Sequence, residues 1–218
     1  LDRAKGSGMA IEDFNQDSYM DLAIINESGH LEIYNNREGQ TFDLQTVTPA
    51  VSTPPHLKAA DLDNDGDLDL LAHGNSPLQP IAYVAGTFQP QTAIAHTGGA
   101  ALLADFDGDG FVDIWTNGRV LANQSQAGQW IKIAAKGLNS NRSGIGAKIE
   151  VKTANRLQKR EVRSGAYAGE LNFGLAGSDS VEFIRILWPG GVRQTELATG
   201  AGQRLELTEL DRKGTSCP

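Results

Sequence analysis

The chain has 218 residues, with 27 acidic against 19 basic side chains for a formal net charge of −8, and 25 glycines. That balance argues against nucleic-acid binding, which needs a basic surface to neutralise phosphates, and no apolar run reaches the roughly 20 residues that would cross a bilayer as a helix. A lone cysteine, Cys217, excludes an internal disulfide framework and is read as an inert terminal thiol.

The charge is unevenly spread. Residues 1–125 carry 5 Lys+Arg against 18 Asp+Glu, a net of −13, while residues 126–218 carry 14 against 9, a net of +5. Twelve of the 18 acids are aspartates in three loops of one design. These are Asp13-Phe-Asn15-Gln-Asp17-Ser-Tyr19-Met-Asp21, Asp61-Leu-Asp63-Asn-Asp65-Gly-Asp67-Leu-Asp69 and Asp105-Phe-Asp107-Gly-Asp109-Gly-Phe111-Val-Asp113. Oxygen side chains at positions one, three, five and nine, with a tight turn at six, allow a short backbone to wrap one hard cation, calcium above all. The main-chain carbonyls of Tyr19, Asp67 and Phe111 would supply position seven. Three such ions would bring the first half to about −7 and relieve the repulsion that opposes closing each loop.

The loops are not EF-hands, whose position twelve is a bidentate Glu; Ile24, Ala72 and Thr116 stand there. Each loop runs instead into a short apolar stretch rich in branched residues, Asp21-Leu-Ala-Ile-Ile, Asp69-Leu-Leu-Ala or Asp113-Ile-Trp, which predicts strands. A second apolar segment and a turn follow in the first two units: Leu31-Glu-Ile-Tyr34 with Gly39-Gln-Thr-Phe42, and Ile81-Ala-Tyr83-Val84 with Gly86-Thr-Phe88. The third unit reaches Val120-Leu121-Ala-Asn123 and lacks that close. First aspartates at 13, 61 and 105 give steps of 48 and 44 residues, within the range of propeller blades.

These units resemble the FG-GAP/VCBS repeats of integrin-type β-propellers over about residues 8–125. The resemblance implies blades with calcium in each loop, and all twelve expected oxygen-bearing side chains are present. Ser18 replaces the glycine found at Gly66 and Gly110; where that position needs a positive φ, a serine costs about 1 kcal/mol. Site one is therefore expected to be the weakest.

From Trp130 the texture changes. Trp130-Ile-Lys-Ile-Ala, Ala147-Lys-Ile-Glu-Val-Lys, Lys159-Arg-Glu-Val-Arg and Phe183-Ile-Arg-Ile-Leu-Trp188 alternate apolar and charged residues, predicting half-exposed antiparallel strands. Turn signals at Asn139-Ser-Asn141, Gly144-Ile-Gly146, Ser164-Gly165 and Pro189-Gly190-Gly191 separate them. This module resembles the ASPIC/UnbV domain over about residues 129–210. The residues that carry the likeness are Leu138-Asn-Ser-Asn141-Arg-Ser-Gly144-Ile-Gly146, Arg160-Glu-Val-Arg163-Ser-Gly165, Asn172-Phe-Gly-Leu175 and Trp188-Pro-Gly-Gly191. Ala168-Gly169 and Asn172 depart from the family pattern.

Catalytic constellations are not apparent. Every clustered Asp belongs to a loop, there is no Gly-x-Ser-x-Gly, and His30, His56, His73 and His96 show no triad or metal-ligand spacing. The Gly144-Ile-Gly146 turn and the basic residues Arg156, Lys159, Arg160 and Arg163 raise an anion-binding alternative, against which stands the usual solvated face of an alternating strand.

The expected fold is all-β: a partial propeller of three blades (about 8–55, 56–97 and 98–125), then a small antiparallel β-sandwich or barrel-like domain over 126–212 and a tail at 213–218. The expected function is an extracellular or periplasmic calcium-binding interaction or adhesion module with up to three Ca²⁺, a protein or glycan ligand and no enzyme activity. A structural accessory domain of a larger secreted protein is the alternative, and part of a polysaccharide-acting enzyme a third. No nucleic acid or membrane insertion is expected. The opening at Leu1 reads as a piece of a longer protein with further blades upstream, and exposed sheet edges predict self-association.

Overall fold

The computed structural model describes residues 6–47, 55–74, 77–95, 99–125, 128–164 and 170–211. His96, Gly165, Ala168-Gly169, Cys217 and the tail 213–218 lie outside the described residues. The described residues form strands without a helix, and none of them makes a helix long and apolar enough to cross a membrane. The all-β class expected from the glycine-rich, strand-periodic sequence is what the structure has. Among the described residues there are five sheets, divided between two compact units: residues 1–62, 67–107 and 112–124, and residues 63–66, 108–111 and 125–218.

The first unit contains three antiparallel meanders. Sheet I runs β1(Gly6–Glu12), β2(Asp21–Asn26), β3(Leu31–Arg37), β4(Thr41–Val47). Sheet II repeats it with β5(Pro55–Ala60), β6(Asp69–Gly74), β7(Gln79–Val84), β8(Thr87–Pro90). Sheet III has β9(Ala101–Ala104), β10(Asp113–Thr116) and β11(Arg119–Leu121), with no fourth strand among the described residues, in the unit whose sequence lacks the Gly-Thr-Phe close. Each exit strand begins at the ninth aspartate of its loop, where the sequence placed it.

Side-chain alternation decides how these sheets stack. In sheet I, Ala23, Ile25, Leu31 and Ile33 share one face and pack with Leu70, Ala72, Ile81 and Phe88 of sheet II. The other face of sheet II contributes Leu71 to a second cluster with Ala101, Leu103 and Ile114 of sheet III. Strand β6 is thus buried along its whole length, which is why Asp69-Leu-Leu-Ala reads as a continuous apolar run rather than an alternation.

The second unit is built differently. Strands β12(Trp130–Lys136), β15(Glu170–Gly174) and β18(Gln203–Thr208) form one sheet in the order β15-β12-β18; β13(Lys148–Lys152), β14(Leu157–Glu161), β16(Ser180–Leu187) and β17(Arg193–Gly200) form another in the order β14-β13-β16-β17. One core joins their inner faces, with Ile131 and Ile133 from β12, Ile149 and Val151 from β13, Phe173 from β15, and Ile184 and Ile186 from β16. Two expectations need correction here. Strand β12 pairs in parallel with β18, since the long stretch of chain between them supplies the crossover that a parallel pair requires. It is also mostly buried, Lys132 included, so its alternation of apolar and basic residues does not mark a half-exposed strand.

Candidate metal centres in the acidic loops

All three loops adopt the same backbone course. Position six is left-handed in each, with φ of 78° at Ser18, 92° at Gly66 and 95° at Gly110; position four is left-handed at Gln16, Asn64 and Gly108. Ser18 therefore takes the strained conformation foreseen for it, and loop one keeps the shared geometry at a local cost of about 1 kcal/mol. At Gly110 the glycine has a second reason, since a Cβ there would lie 1.9 Å from Nε1 of Trp130.

The left-handed turns fold the odd-numbered side chains back on the loop. Main-chain amides of Asp17, Asp65 and Phe111 donate to Oδ1 of Asn15, Asp63 and Asp109, each two residues earlier, in the Asx-turn manner open to these side chains. In loop two, carboxylate oxygens of Asp61, Asp63 and Asp65 come within 4.8 Å of one another, as do those of Asp105, Asp107 and Asp109 in loop three. Loop one carries Asn15 at position three, so two carboxylates, Asp13 and Asp17, share the corresponding place with an amide. Its Asp13 accepts from the amides of Asp17 and Ser18 at 3.0 and 2.8 Å.

Electrostatics in loop one point the same way. Burial raises the Asp13 pKa to about 6, reinforced by the charges of Asp17 and Asp21 and opposed by the Ser18 and Asp17 amides. Asp21 is also raised, by burial first, against the amides of Asn36, Phe14 and Asn15. Converging, poorly solvated carboxylates of this kind fit a hard dication, which removes the repulsion and accepts oxygen ligands.

The ninth aspartates do something the sequence did not reveal. Asp21 accepts from the amides of Phe14 and Asn36 at 3.0 and 2.8 Å. Asp69 accepts from Leu62 and Tyr83, both at 2.9 Å, and Asp113 from Phe106 and Asn123 at 2.8 and 2.7 Å. All three carboxylates are buried. Each therefore clamps position two of its own loop to a later strand or its end, whatever else its remaining lone pairs do. At position seven, the Asp67 side chain accepts from Gln16 Nε2 at 2.9 Å, Phe111 is buried and Tyr19 is exposed.

In the second unit the basic run is largely consumed by structure. Lys159 and Arg185 flank Glu150 at 3.8 and 2.9 Å, as direct cross-strand neighbours. Arg156 donates to the carbonyl of Asp65 at 3.0 Å, and Arg160 donates to the carbonyl of Asn172 while lying over the Phe173 ring. The amide of Gly146 donates to the Val162 carbonyl and that of Gly144 to the Asn141 carbonyl, so both glycine amides of this turn are taken. Asn172 donates to the carbonyl of Gly110 at 3.0 Å, the use found for that off-pattern residue.

Two further clusters escaped the sequence. Glu209, 2% exposed, accepts the amides of Leu138, Asn139 and Ser140 on one oxygen, at 2.9, 2.8 and 2.6 Å, and the Ser140 hydroxyl on the other. Ser140 Oγ in turn accepts from Gly190 at 3.0 Å, which ties the Leu138-Asn-Ser and Trp188-Pro-Gly landmarks into one knot. His56 and His73 are cross-strand partners with ring centroids 5.4 Å apart, and Nδ1 of His73 lies 3.3 Å from the Gly99 carbonyl, so that it is the nitrogen that donates. Their 17-residue separation hides a pairing that only strand register creates.

Comparison with known proteins agrees with these two textures. Residues 13–72 match the FG-GAP-like repeat family, and residues 137–214 match the ASPIC and UnbV family. The chain is similar to cartilage acidic protein 1 of Mus musculus, 26% identical over 224 residues covering 85% of this chain and 34% of that protein. It is 25% identical to the Homo sapiens protein, covering 85% of this chain and 33% of that one, and 26% identical to that of Xenopus tropicalis, with 85% and 34% covered. The chain thus spans about a third of the length of these curated relatives.

Proposed function

We propose that this chain, an FG-GAP-like repeat region joined to an ASPIC/UnbV region, is a calcium-stabilised interaction module acting outside the cytosol. The observation that carries the reading is the convergence of three carboxylates within 4.8 Å in each of loops two and three, on a backbone course that loop one shares. Asp13, Asn15, Asp17 and Asp21, with their counterparts at 61, 63, 65 and 69 and at 105, 107, 109 and 113, would hold the ion, with the carbonyls of Tyr19, Asp67 and Phe111. Bound calcium supplies charge neutralisation and loop rigidity rather than an open coordination position for chemistry. Hence no enzyme activity is proposed.

The division of labour follows the two textures. Residues 1–125 act as three calcium-pinned blades and residues 126–212 as a two-sheet β-sandwich whose strand pairing is mixed. Weak sites of this kind fill where calcium is millimolar, which favours an extracellular or periplasmic location. The pinned loops shape a surface for a protein or glycan partner.

The test is thermal unfolding of Asp65→Ala and Asp109→Ala beside the parent chain, in calcium and in chelator. An ion at one hundred times its Kd adds about 2.7 kcal/mol, so the variants should melt lower in calcium and close to the parent in chelator. Equal losses in both conditions would mean that these aspartates do not act through a metal.

A further inference from the structure

The acidic loops are joined to one another through position four. That position is left-handed in each, with φ of 59° at Gln16, 58° at Asn64 and 85° at Gly108. In the first two loops the residue there carries a side-chain amide, and the amide reaches the loop that follows. Gln16 Nε2 donates to Oδ1 of Asp67, at position seven of loop two, at 2.9 Å. Asn64 Nδ2 donates to the carbonyl of Gly110, at position six of loop three, at 3.2 Å. Loop three has Gly108 at this position, and without a side chain the series stops there.

Both ends of each link lie among the candidate ligands. Gln16 stands between Asn15 and Asp17, and Asn64 between Asp63 and Asp65. Asp67 supplies the position-seven carbonyl of its loop, and Gly110 stands between Asp109 and Phe111. A shift of the backbone at one set of ligands is thereby passed to the next set. The link at Asn64 is fully buried. Asn172 fixes how its amide is turned, donating to Asn64 Oδ1 at 3.4 Å and to the same Gly110 carbonyl at 3.0 Å.

Left-handed turns place both partners of each link: the donors are at φ 59° and 58°, and the acceptors are Asp67, next to Gly66 at 92°, and Gly110 at 95°. The links therefore belong to the closed course of both loops at once. A loop that opens alone leaves a donor or acceptor of its neighbour unpaired, which costs more than the bond itself contributes. Closing one loop, which carboxylate repulsion opposes, is in this way easier when the linked loop is already closed. That is the differential interaction that coupling between two sites requires.

We infer that Gln16 and Asn64 couple the three loops in series, so that calcium in one loop raises the affinity of the loop linked to it. The loops then fill together over a narrow range of calcium concentration instead of acting as three independent sites. Within a linked pair the help is reciprocal and equal in both directions. Gln16 and Asn64 are positioning residues, since neither side chain is among the candidate ligands. The inference rests on the reading of the loops as calcium sites.

Calorimetric titration of the whole chain with calcium tests this through a cycle of two substitutions. Asn64→Gly removes the amide and leaves at position four the residue that loop three already has there; Asp109→Ala disables loop three. In the parent chain, Asp109→Ala is expected to remove one ion and to weaken binding of those that remain by about fivefold or more, the lower end of typical couplings. In the Asn64→Gly background it is expected to remove one ion and leave the affinity of the others unchanged. Weakening that is absent from the parent, or equal in both backgrounds, would overturn the coupling and leave the calcium sites standing. A parent chain that takes up no calcium would overturn the calcium reading and this inference with it. Gln16→Gly with Asp65→Ala makes the same cycle at the first link, should Asn64→Gly disturb folding, which circular dichroism reports.

Discussion

Replacing Asp113 by Asn separates clamping from metal binding. The Asp113 carboxylate is fully buried and accepts from Phe106 at 2.8 Å and Asn123 at 2.7 Å. An amide in the same place has one oxygen and one NH₂, so one of the two main-chain donors faces another donor whichever way the group is turned. A hydrogen bond to a charged acceptor contributes about 1.5–3 kcal/mol and a neutral one about 1. Losing the first and weakening the second costs about 3 kcal/mol, against which relief of repulsion from neighbouring aspartates returns a fraction. The expected net loss is about 2–3 kcal/mol, or roughly 5–10 °C in melting temperature for a chain of this size. The assay is calorimetric melting in chelator, with Asp109→Asn as comparator. That side chain is exposed and its turn hydrogen bond to Phe111 is one that an asparagine also makes, so its loss in chelator should stay below about 1 kcal/mol. Equal melting of the two variants in chelator would refute the clamp.

Three more outcomes follow from single positions. Ser18→Gly should raise stability by about 0.5–1 kcal/mol, the left-handed strain of about 1–2 kcal/mol less the added freedom of the unfolded chain; a lower melting temperature would contradict it. Gly110→Ala should cost about 3 kcal/mol or more, from overpacking and backbone strain together, because its Cβ would meet Trp130 at 1.9 Å. The control Gly39→Ala, with an open surround at φ 76°, should cost only about 1 kcal/mol, and equal losses on melting would remove the steric argument. Burial acts to raise the Glu209 pKa, but the Ser140 amide and hydroxyl and the Asn139 and Leu138 amides bring it below its ordinary 4.5. A depressed carboxylate adds stability above its unfolded pKa that disappears as pH falls through the folded one. Glu209→Gln should therefore be about 2 kcal/mol less stable at neutral pH, with a shallower loss below pH 4.5 in an acid titration followed by circular dichroism.

The acidic loops and their exit strands were legible because the signal is local: a nine-residue spacing of oxygens, then a short branched apolar run. The positive φ at Ser18 followed from the glycines at the equivalent places. What stayed hidden depends on distant pairings. Strand β17, Arg193–Gly200, buries Gln194 and otherwise keeps a polar, mostly exposed sequence, so no periodicity announces it. Strand β18 is partly exposed along its length, and its parallel partner β12 lies more than 70 residues away. The same holds at the site. Carboxylates that converge within one loop can be read from spacing, whereas the ninth aspartates reach donors 15, 14 and 10 residues further on, and Glu209 reaches an amide 71 residues back. Neither end of such a bond carries a spacing that announces the other.

The unequal reach of those three aspartates has a consequence for how the repeat changes over evolution. A carboxylate asks only that an N–H arrive at the right point, and it is indifferent to the length of chain that brings it there. The hairpin between clamp and donor, Gly29 in the first unit or the Asn117-Gly118 turn in the third, is therefore free to shrink or take up inserted residues. The loop itself, with two left-handed residues at fixed places, has no such latitude. Variation between repeats should gather at the hairpin tips, which makes those tips the place to graft a foreign segment without disturbing the acidic loops.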